Sequence, residues 1–187
     1  MLSAPHAVLQ TRGGVIKCAE RYTGMLCRLL HDSAACPVIY KTRHLGDDAN
    51  HDRVSDYRDA LCKYIRQNHI HYLIDLHQMK PERPMDVCLC TGKRRNLFGK
   101  QELVSLIGDC FREHHILKVT QDDPFDASSP YTVSTTVANR CSIPCVQVEL
   151  NTRLLMNEYD EYCFTGVMSA LEELISKLSE ESGEVAL

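Results

Sequence analysis

The 187-residue chain lacks an excess of positive charge, a long apolar segment and an export signal. Its 21 Lys and Arg residues are outnumbered by 25 Asp and Glu residues, and the net charge of −4 disfavours nucleic acid or an anionic membrane as a partner. No apolar run approaches the ~18 residues that a membrane span needs, and no basic segment followed by an apolar stretch opens the chain. We therefore expect a soluble, cytoplasmic protein with small or neutral partners.

The sequence also lacks a Cys-x-x-Cys pair, although it contains ten cysteines. The closest spacings are Cys88-Leu-Cys90 and Cys141-Ser-Ile-Pro-Cys145, which give a zinc ribbon little support. A chain of this size builds a core without disulfides, so we expect reduced thiols. Five cysteines fall in helix-like segments and are expected to act as small buried filler: Cys18, Cys27, Cys62, Cys110 and Cys163. We predict no catalytic cysteine.

No internal repeat or low-complexity linker divides the chain, which indicates a single domain over residues 1–187. Strand-like patterns occur at about 1–5, 37–40, 71–77, 86–90, 116–119 and 145–150. Helical patterns occur at about 19–30, 52–68, 100–114, 133–139 and 161–178, and Gly13-Gly14 marks a loop before the first of them. This alternation predicts a three-layer α/β fold, with a mixed, mostly parallel sheet between helices on both faces.

Polar residues stand at the ends of three of the predicted strands. His6 follows the first strand, and Asp75 and His77 end the third, where alternation puts both side chains on one side. Glu149 lies near the end of the last strand, on the same side as Gln147. Carboxyl ends of parallel strands meet at one edge, and two imidazoles with one carboxylate suit a hydrolytic zinc site. Taken singly, each residue also fits a structural role, such as a loop histidine or a backbone cap.

Four short blocks carry a resemblance to a known family. They are Ser3-Ala4-Pro5-His6-Ala7, Lys17-Cys18-Ala19-Glu20 with Thr23, Ile74-Asp75-Leu76-His77, and Val146-Gln147-Val148-Glu149-Leu150-Asn151 with Arg153-Leu154-Leu155-Met156-Asn157-Glu158. In order and spacing they resemble the N-formylglutamate amidohydrolase family. The resemblance implies the phosphorylase/hydrolase-like fold shared with zinc carboxypeptidases. It also implies a zinc-dependent hydrolase of amide bonds in small N-acyl amino acids or peptide-like substrates.

Carried over to this chain, the resemblance makes His6, Glu20 and His77 the ligands of Zn²⁺ and Glu149 the general base. Asp75 becomes a supporting carboxylate for one of the ligand histidines, since metal-bound imidazoles usually donate their second N–H to such a group. An acid at the start of a helix also complements the helix dipole, so Glu20 has a structural alternative. Asp47 and His51 are reserve ligands.

The substrate contacts rest on positive charge, because an anionic amino acid needs a cationic partner. Arg140 and Arg153 are the candidates for this role. The family commonly has an Asp-x-Asn-Arg element, which aligns with Asp48-Ala49-Asn50-His51 and makes Asn50 a further substrate-binding candidate. His51 stands where the arginine would be, a departure that bears directly on formylglutamate as the substrate. Arg53, two residues on, is an alternative.

Two other functions stay open at this point. One is a carboxypeptidase-like or deacylase specificity on the same machinery. The other is a metal-binding or ligand-sensing domain without turnover, against which the presence of Glu149 argues. The remaining histidine pairs receive no role: His114 and His115 are adjacent, so their rings diverge on a helix end, and His69 and His71 flank the wrong end of the third strand.

Overall fold

The computed structural model describes residues 1–156 and 161–183 of the chain. The last two positions of the Arg153–Glu158 block, 157 and 158, and residues 184–187 lie outside the described residues. Eight strands are described: Leu2–Ala4 (β1), Gln10–Arg12 (β2), Val15–Lys17 (β3), Val38–Tyr40 (β4), Leu73–Met79 (β5), Val87–Cys90 (β6), Val119–Gln121 (β7) and Cys145–Asn151 (β8). Five α-helices accompany them: Arg21–Ala34 (α1), Asp56–Gln67 (α2), Glu102–Glu113 (α3), Val133–Cys141 (α4) and Glu161–Ser182 (α5).

Six of these strands form one sheet in the order β4-β1-β5-β8-β6-β7. The four strands β4, β1, β5 and β8 are mutually parallel, whereas β6 runs antiparallel to β8 and parallel to β7. The mixed, mostly parallel sheet predicted from the alternating sequence is therefore confirmed. Within the described ranges no helix is both long and apolar enough to cross a bilayer.

Helices cover both faces of the sheet, but to different extents. On one face, α1, α3 and α5 pack on a long apolar row that includes Ile74 and Leu76 of β5. On the other face, α2 and α4 pack on Leu73 and Cys145, the first residues of β5 and β8. Because strand side chains alternate, Asp75 and His77 share this second face with Leu73. The helices thus cover the beginning of the strands and leave their later residues to polar side chains.

Several element boundaries differ from the sequence-based prediction. The expected loop at Gly13-Gly14 is the turn of a small antiparallel hairpin, β2–β3, and both glycines have the positive φ (57° and 79°) that such a two-residue turn requires. Helix α2 begins at Asp56 rather than 52, where the Ser55 side chain accepts a bond from the Arg58 N–H. The strand expected at 116–119 is β7, which begins only at Val119.

Most cysteine positions follow the expectation of buried filler. Cys27, Cys62 and Cys110 are free and buried within helices, whereas Cys163 is half-buried. Cys18 is exposed, because the first helix begins at Arg21 and leaves this residue in the preceding segment.

Close packing between α1 and the segment after β1 depends on the absence of a side chain at Gly24. A Cβ built at Gly24 would lie 2.7 Å from the Cβ of Ala7, the residue after His6. We expect Gly24→Ala to lower the free energy of unfolding by about 1–2 kcal/mol, since overpacking outweighs the gain in helix propensity. Urea denaturation measures the difference.

Gly108→Ala in α3 is the matched control for this substitution. Its new Cβ would meet only the guanidinium end of Arg112, at 3.1 Å, which is free to move. The control should be neutral or stabilise by up to about 1 kcal/mol. Equal effects of the two substitutions would contradict the packing argument.

Candidate metal centre

Sheet register and one backbone bond bring three distant segments together. β5 pairs with β8 so that His77 lies opposite Glu149. His6 lies two residues beyond the end of β1, which flanks β5 on its other side. The Glu20 N–H donates to the His6 carbonyl at 2.8 Å, which fixes the start of α1 against the segment that carries His6. The three predicted metal ligands are therefore neighbours, although 71 positions separate the first from the last.

The Glu20 carboxylate lies between the two histidine rings. Its Oε1 is 2.8 Å from His6 Nδ1, and its Oε2 is 3.2 Å from His77 Nδ1. The rings stand edge to face with centroids 4.8 Å apart. Glu20 makes no side-chain cap on its helix and instead accepts a bond from the Gln78 N–H at 3.0 Å. The structural alternative, an acid placed only to complement the helix dipole, does not describe this orientation.

A second carboxylate lies behind each histidine. Asp75 Oδ2 is 3.2 Å from His77 Nε2, and Asp48 Oδ1 is 2.8 Å from His6 Nε2. Both acids are fully buried, and Asp75 also accepts a bond from the Ser3 hydroxyl. Of the two histidines, His77 is therefore the one that Asp75 supports. Sequence reasoning missed Asp48 as its counterpart at His6, although it stands at the Asp of the Asp-x-Asn-Arg alignment.

Hydrogen bonds connect His6 to Glu149 through the loop after β4. Asp48, which binds His6, also accepts a bond from the Asn50 N–H at 2.9 Å. The Asn50 side chain donates to Gln147 Oε1 at 3.2 Å, and Gln147 in turn donates to Glu149 Oε1 at 2.9 Å. Asn50 Oδ1 accepts the Val133 N–H at the start of α4. Asn50 therefore orients the polar groups around the site.

Charge compensation dominates the electrostatics of the two histidines. Burial opposes protonation of His6, but the carboxylates of Glu20 and Asp48 outweigh it and raise the pKa of the imidazole. Burial likewise opposes the charged form of His77, and the carboxylates of Glu20 and Asp75 raise its pKa well above the usual value. Burial alone would raise the pKa of Glu20, yet the adjacent His77 and His6 lower it to about 2.

Glu149 has the opposite character to Glu20. Its side chain is 9% exposed, and burial raises its pKa to about 7, despite the favourable charge of His77. Its described hydrogen bond comes from a neutral amide, Gln147, rather than from a cation. Two acids of the same site thus differ: the two histidines lower the pKa of Glu20, whereas burial raises the pKa of Glu149.

The donor set of the cluster suits a transition-metal ion. His6, Glu20 and His77 each offer one ligand atom, and these atoms lie within 4.8 Å of one another. Two imidazole nitrogens and one carboxylate oxygen are a common protein set for zinc in hydrolytic sites, which leave a further position open. The outer carboxylates of Asp48 and Asp75 match the arrangement that orients metal-bound imidazoles. The residues present therefore fit the ion that the sequence implied.

The structure does not bring the predicted substrate arginines to this cluster. Arg140 lies in the last turn of α4, near the start of β8, and its guanidinium pairs with Asp59 of α2. Because Glu149 lies toward the other end of β8, Arg140 stands at the wrong edge of the sheet. Arg153 follows the carboxyl end of β8, but its guanidinium binds Asp86 at 2.6 Å and the Met85 carbonyl at 3.2 Å.

The reserve ligands also lie apart from the three candidate ligand atoms. His51 is exposed and contacts Asp52 at 3.4 Å. Asp47 pairs with Lys41 at 2.5 Å. Neither side chain takes part in the described His6, Glu20 and His77 cluster.

Comparisons with known proteins place the fold. No family model matches the chain, and a comparison with curated proteins gives no significant match. Among solved structures, a gene product of Agrobacterium tumefaciens has a TM-score of 0.59 at 13% identity, over 97% of this chain and 91% of that one. A bacteriophage poly-gamma-glutamate hydrolase has a TM-score of 0.62 at 17% identity, over 97% of this chain and 84% of that one. These two likenesses show a shared α/β fold.

An N-formylglutamate amidohydrolase from Ralstonia eutropha is also similar, with a TM-score of 0.49 at 20% identity. The match covers 67% of this chain and 51% of that one, so the chain spans about half the length of that enzyme.

The carboxylate behind His6 gives a direct test of the candidate centre. We expect Asp48→Asn to weaken Zn²⁺ binding about 10–100-fold, as is usual when the partner of a ligating histidine is lost. Competition with a chelator of known affinity measures the change.

Asp47→Asn is the matched control, because this neighbouring acid contacts Lys41 and neither histidine. Its zinc affinity should stay within about twofold of the wild type. Equal losses in both variants would mean that the loop as a whole, and not the Asp48 contact to His6, sets the affinity.

Proposed function

We propose that the protein is a zinc-dependent hydrolase of amide bonds in small N-acyl amino acids. The observation that carries this proposal is the convergence of His6 Nδ1 and His77 Nδ1 on the Glu20 carboxylate, next to the buried acid Glu149. The poly-gamma-glutamate hydrolase among the similar structures supports hydrolysis as the reaction class. We assign His6, Glu20 and His77 as metal ligands and Glu149 as general base.

Under this proposal, each residue of the site has a defined task. A bound zinc ion supplies Lewis acidity, which polarises an amide carbonyl and makes water more acidic. Glu149 accepts the proton of the attacking water and passes it to the leaving nitrogen. Burial, which raises the pKa of Glu149, makes its carboxylate a better acceptor for that proton. Gln147 donates a hydrogen bond to the Glu149 carboxylate, and Asn50 donates in turn to Gln147.

Asp48 and Asp75 hold the imidazoles in one orientation. Each carboxylate accepts a hydrogen bond from the Nε2 atom of one ring, so the Nδ1 atom of that ring faces the Glu20 carboxylate. Preorganisation of this kind contributes to hydrolysis because donor atoms need not reorganise during the reaction.

Glu149→Gln separates catalysis from metal binding. The amide keeps the size of the side chain but cannot accept the proton of water, so kcat should fall about 10²–10⁴-fold. Zinc content should stay at the wild-type level, because Glu149 is not one of the proposed ligands. Metal analysis and hydrolysis of a panel of N-formyl and N-acetyl amino acids and short peptides measure the two quantities.

Glu102→Gln, an exposed acid in the first turn of α3, is the control and should leave both quantities unchanged. Full activity in Glu149→Gln would remove Glu149 from the mechanism, and loss of zinc would make it a ligand. A wild-type protein that binds zinc and hydrolyses no member of the panel would support the non-catalytic alternative. The panel also separates N-acyl specificity from carboxypeptidase-like specificity.

A further inference from the structure

We propose that Arg12, carried by the β2–β3 hairpin, binds the free carboxylate of the substrate. This inference deepens the proposed function and rests on it. Arg12 would supply the positive charge that was expected from Arg140 or Arg153. The chain has no arginine at position 51, where His51 stands.

Arg12 is attached to the candidate centre through one carboxylate. Its Nε donates to Asp48 Oδ2 at 2.8 Å, while Asp48 Oδ1 binds His6 Nε2 at 2.8 Å. A single buried side chain therefore separates the guanidinium from the first proposed ligand. The remaining four N–H donors of Arg12 make no hydrogen bond to any residue that the structure describes, and its side chain is 41% exposed.

The hairpin holds Arg12 in place by two further contacts. The Thr11 N–H donates to the Asp47 carbonyl at 3.1 Å, and the Thr11 hydroxyl lies 2.9 Å from His44 Nε2. Together with the Arg12 contact to Asp48, these bonds fasten β2 to the loop that carries Asp48 and Asn50. The anchor is thus fixed relative to the site before any substrate arrives, which lowers the entropy lost on binding.

An unpaired acceptor lies next to Arg12 on the same strand. Gln10 and Arg12 are two residues apart and point to one face of β2. Gln10 is 5% exposed, and its Oε1 has no hydrogen-bond partner among the described residues. A buried carbonyl without a donor is unfavourable, and an amide N–H of a bound substrate would satisfy it. β2 therefore carries a buried unpaired acceptor and a cation whose terminal nitrogens have no partner among the described residues, the two kinds of group that an N-acyl amino acid requires.

The other candidate arginines are already engaged. Arg140 pairs with Asp59, and Arg153 pairs with Asp86. Arg12 also has a carboxylate partner, but it uses only Nε for that contact, so the planar edge formed by its two terminal nitrogens stays available. That edge matches the two oxygens of a carboxylate.

The test compares a charged substrate with its neutral counterpart. N-formyl-L-glutamate and its diamide share a scissile bond, but only the first carries carboxylates. Both are measured as substrates of the zinc-loaded protein and, by calorimetry, as ligands of the Glu149→Gln variant. We expect Arg12→Ala to raise KM and Kd for N-formyl-L-glutamate at least about tenfold, with kcat, zinc content and the values for the diamide unchanged. Arg12→Lys should recover part of the loss.

Arg112→Ala is the matched control, because it removes another half-exposed arginine with one acidic partner from α3. Arg112→Ala should leave the KM and Kd values of both compounds unchanged. Three results would overturn the role of Arg12: equal effects of Arg12→Ala on both compounds, no effect on either compound, or loss of zinc. In each case the proposed hydrolase activity would stand as long as the wild type hydrolyses a substrate. A wild type that neither binds nor hydrolyses any N-acyl compound would overturn the proposed function and the inference with it.

Discussion

The Glu20 carboxylate lies between two buried imidazoles, and the arrangement of the whole site follows from that contact. The ring centroids are 4.8 Å apart, and the negative charge between the rings raises the pKa of both imidazoles against the effect of burial. Because Glu20 lies on the Nδ1 side of both rings, the Nε2 atoms point away from it. Nε2 of His6 contacts Asp48, and Nε2 of His77 contacts Asp75. Inner and outer carboxylates together allow only one orientation of each imidazole, which is the preorganisation that a metal centre needs.

The sheet supplies the place for this polar cluster. α2 and α4 pack on only the first residues of β5 and β8 on that face. Along β5, Asp75 and His77 lie between Leu73 of this cluster and Met79 of another apolar cluster. Asn50 then joins the loop of Asp48 to Gln147 and Glu149, with the result that the proposed base and the ligand His6 belong to one hydrogen-bonded network. Substitution of any one of these residues should weaken the hydrogen bonds of the others, as is general for buried polar networks.

Sequence reasoning predicted the elements that have a local signal. The period-two runs of β5 and β8 and the family blocks pointed to His77, Glu149, His6 and Glu20, and the structure brings these residues together, while their roles stay predictions. Asp48 and Arg12 were missed because their contacts join segments 42 and 36 positions apart. β2 and β3 were both missed: each has only three residues, and those of β3 are all exposed, so the hairpin lacks apolar alternation. Arg140 and Arg153 were chosen for charge type, which does not indicate which acid each would meet.

One zinc ion bound by two imidazoles and a carboxylate is the basis of the proposed function, and thiolates are the alternative zinc ligands. Cys88 and Cys90 of β6 lie with their sulfur atoms 3.9 Å apart, and Cys88 pairs across the sheet with Glu149. X-ray absorption spectroscopy of the zinc-loaded protein separates the two sites most directly. We predict nitrogen and oxygen scatterers at about 2.0–2.2 Å with imidazole features that are lost in His77→Ala. Sulfur at about 2.3 Å, or a spectrum unaffected by that substitution, would contradict the account.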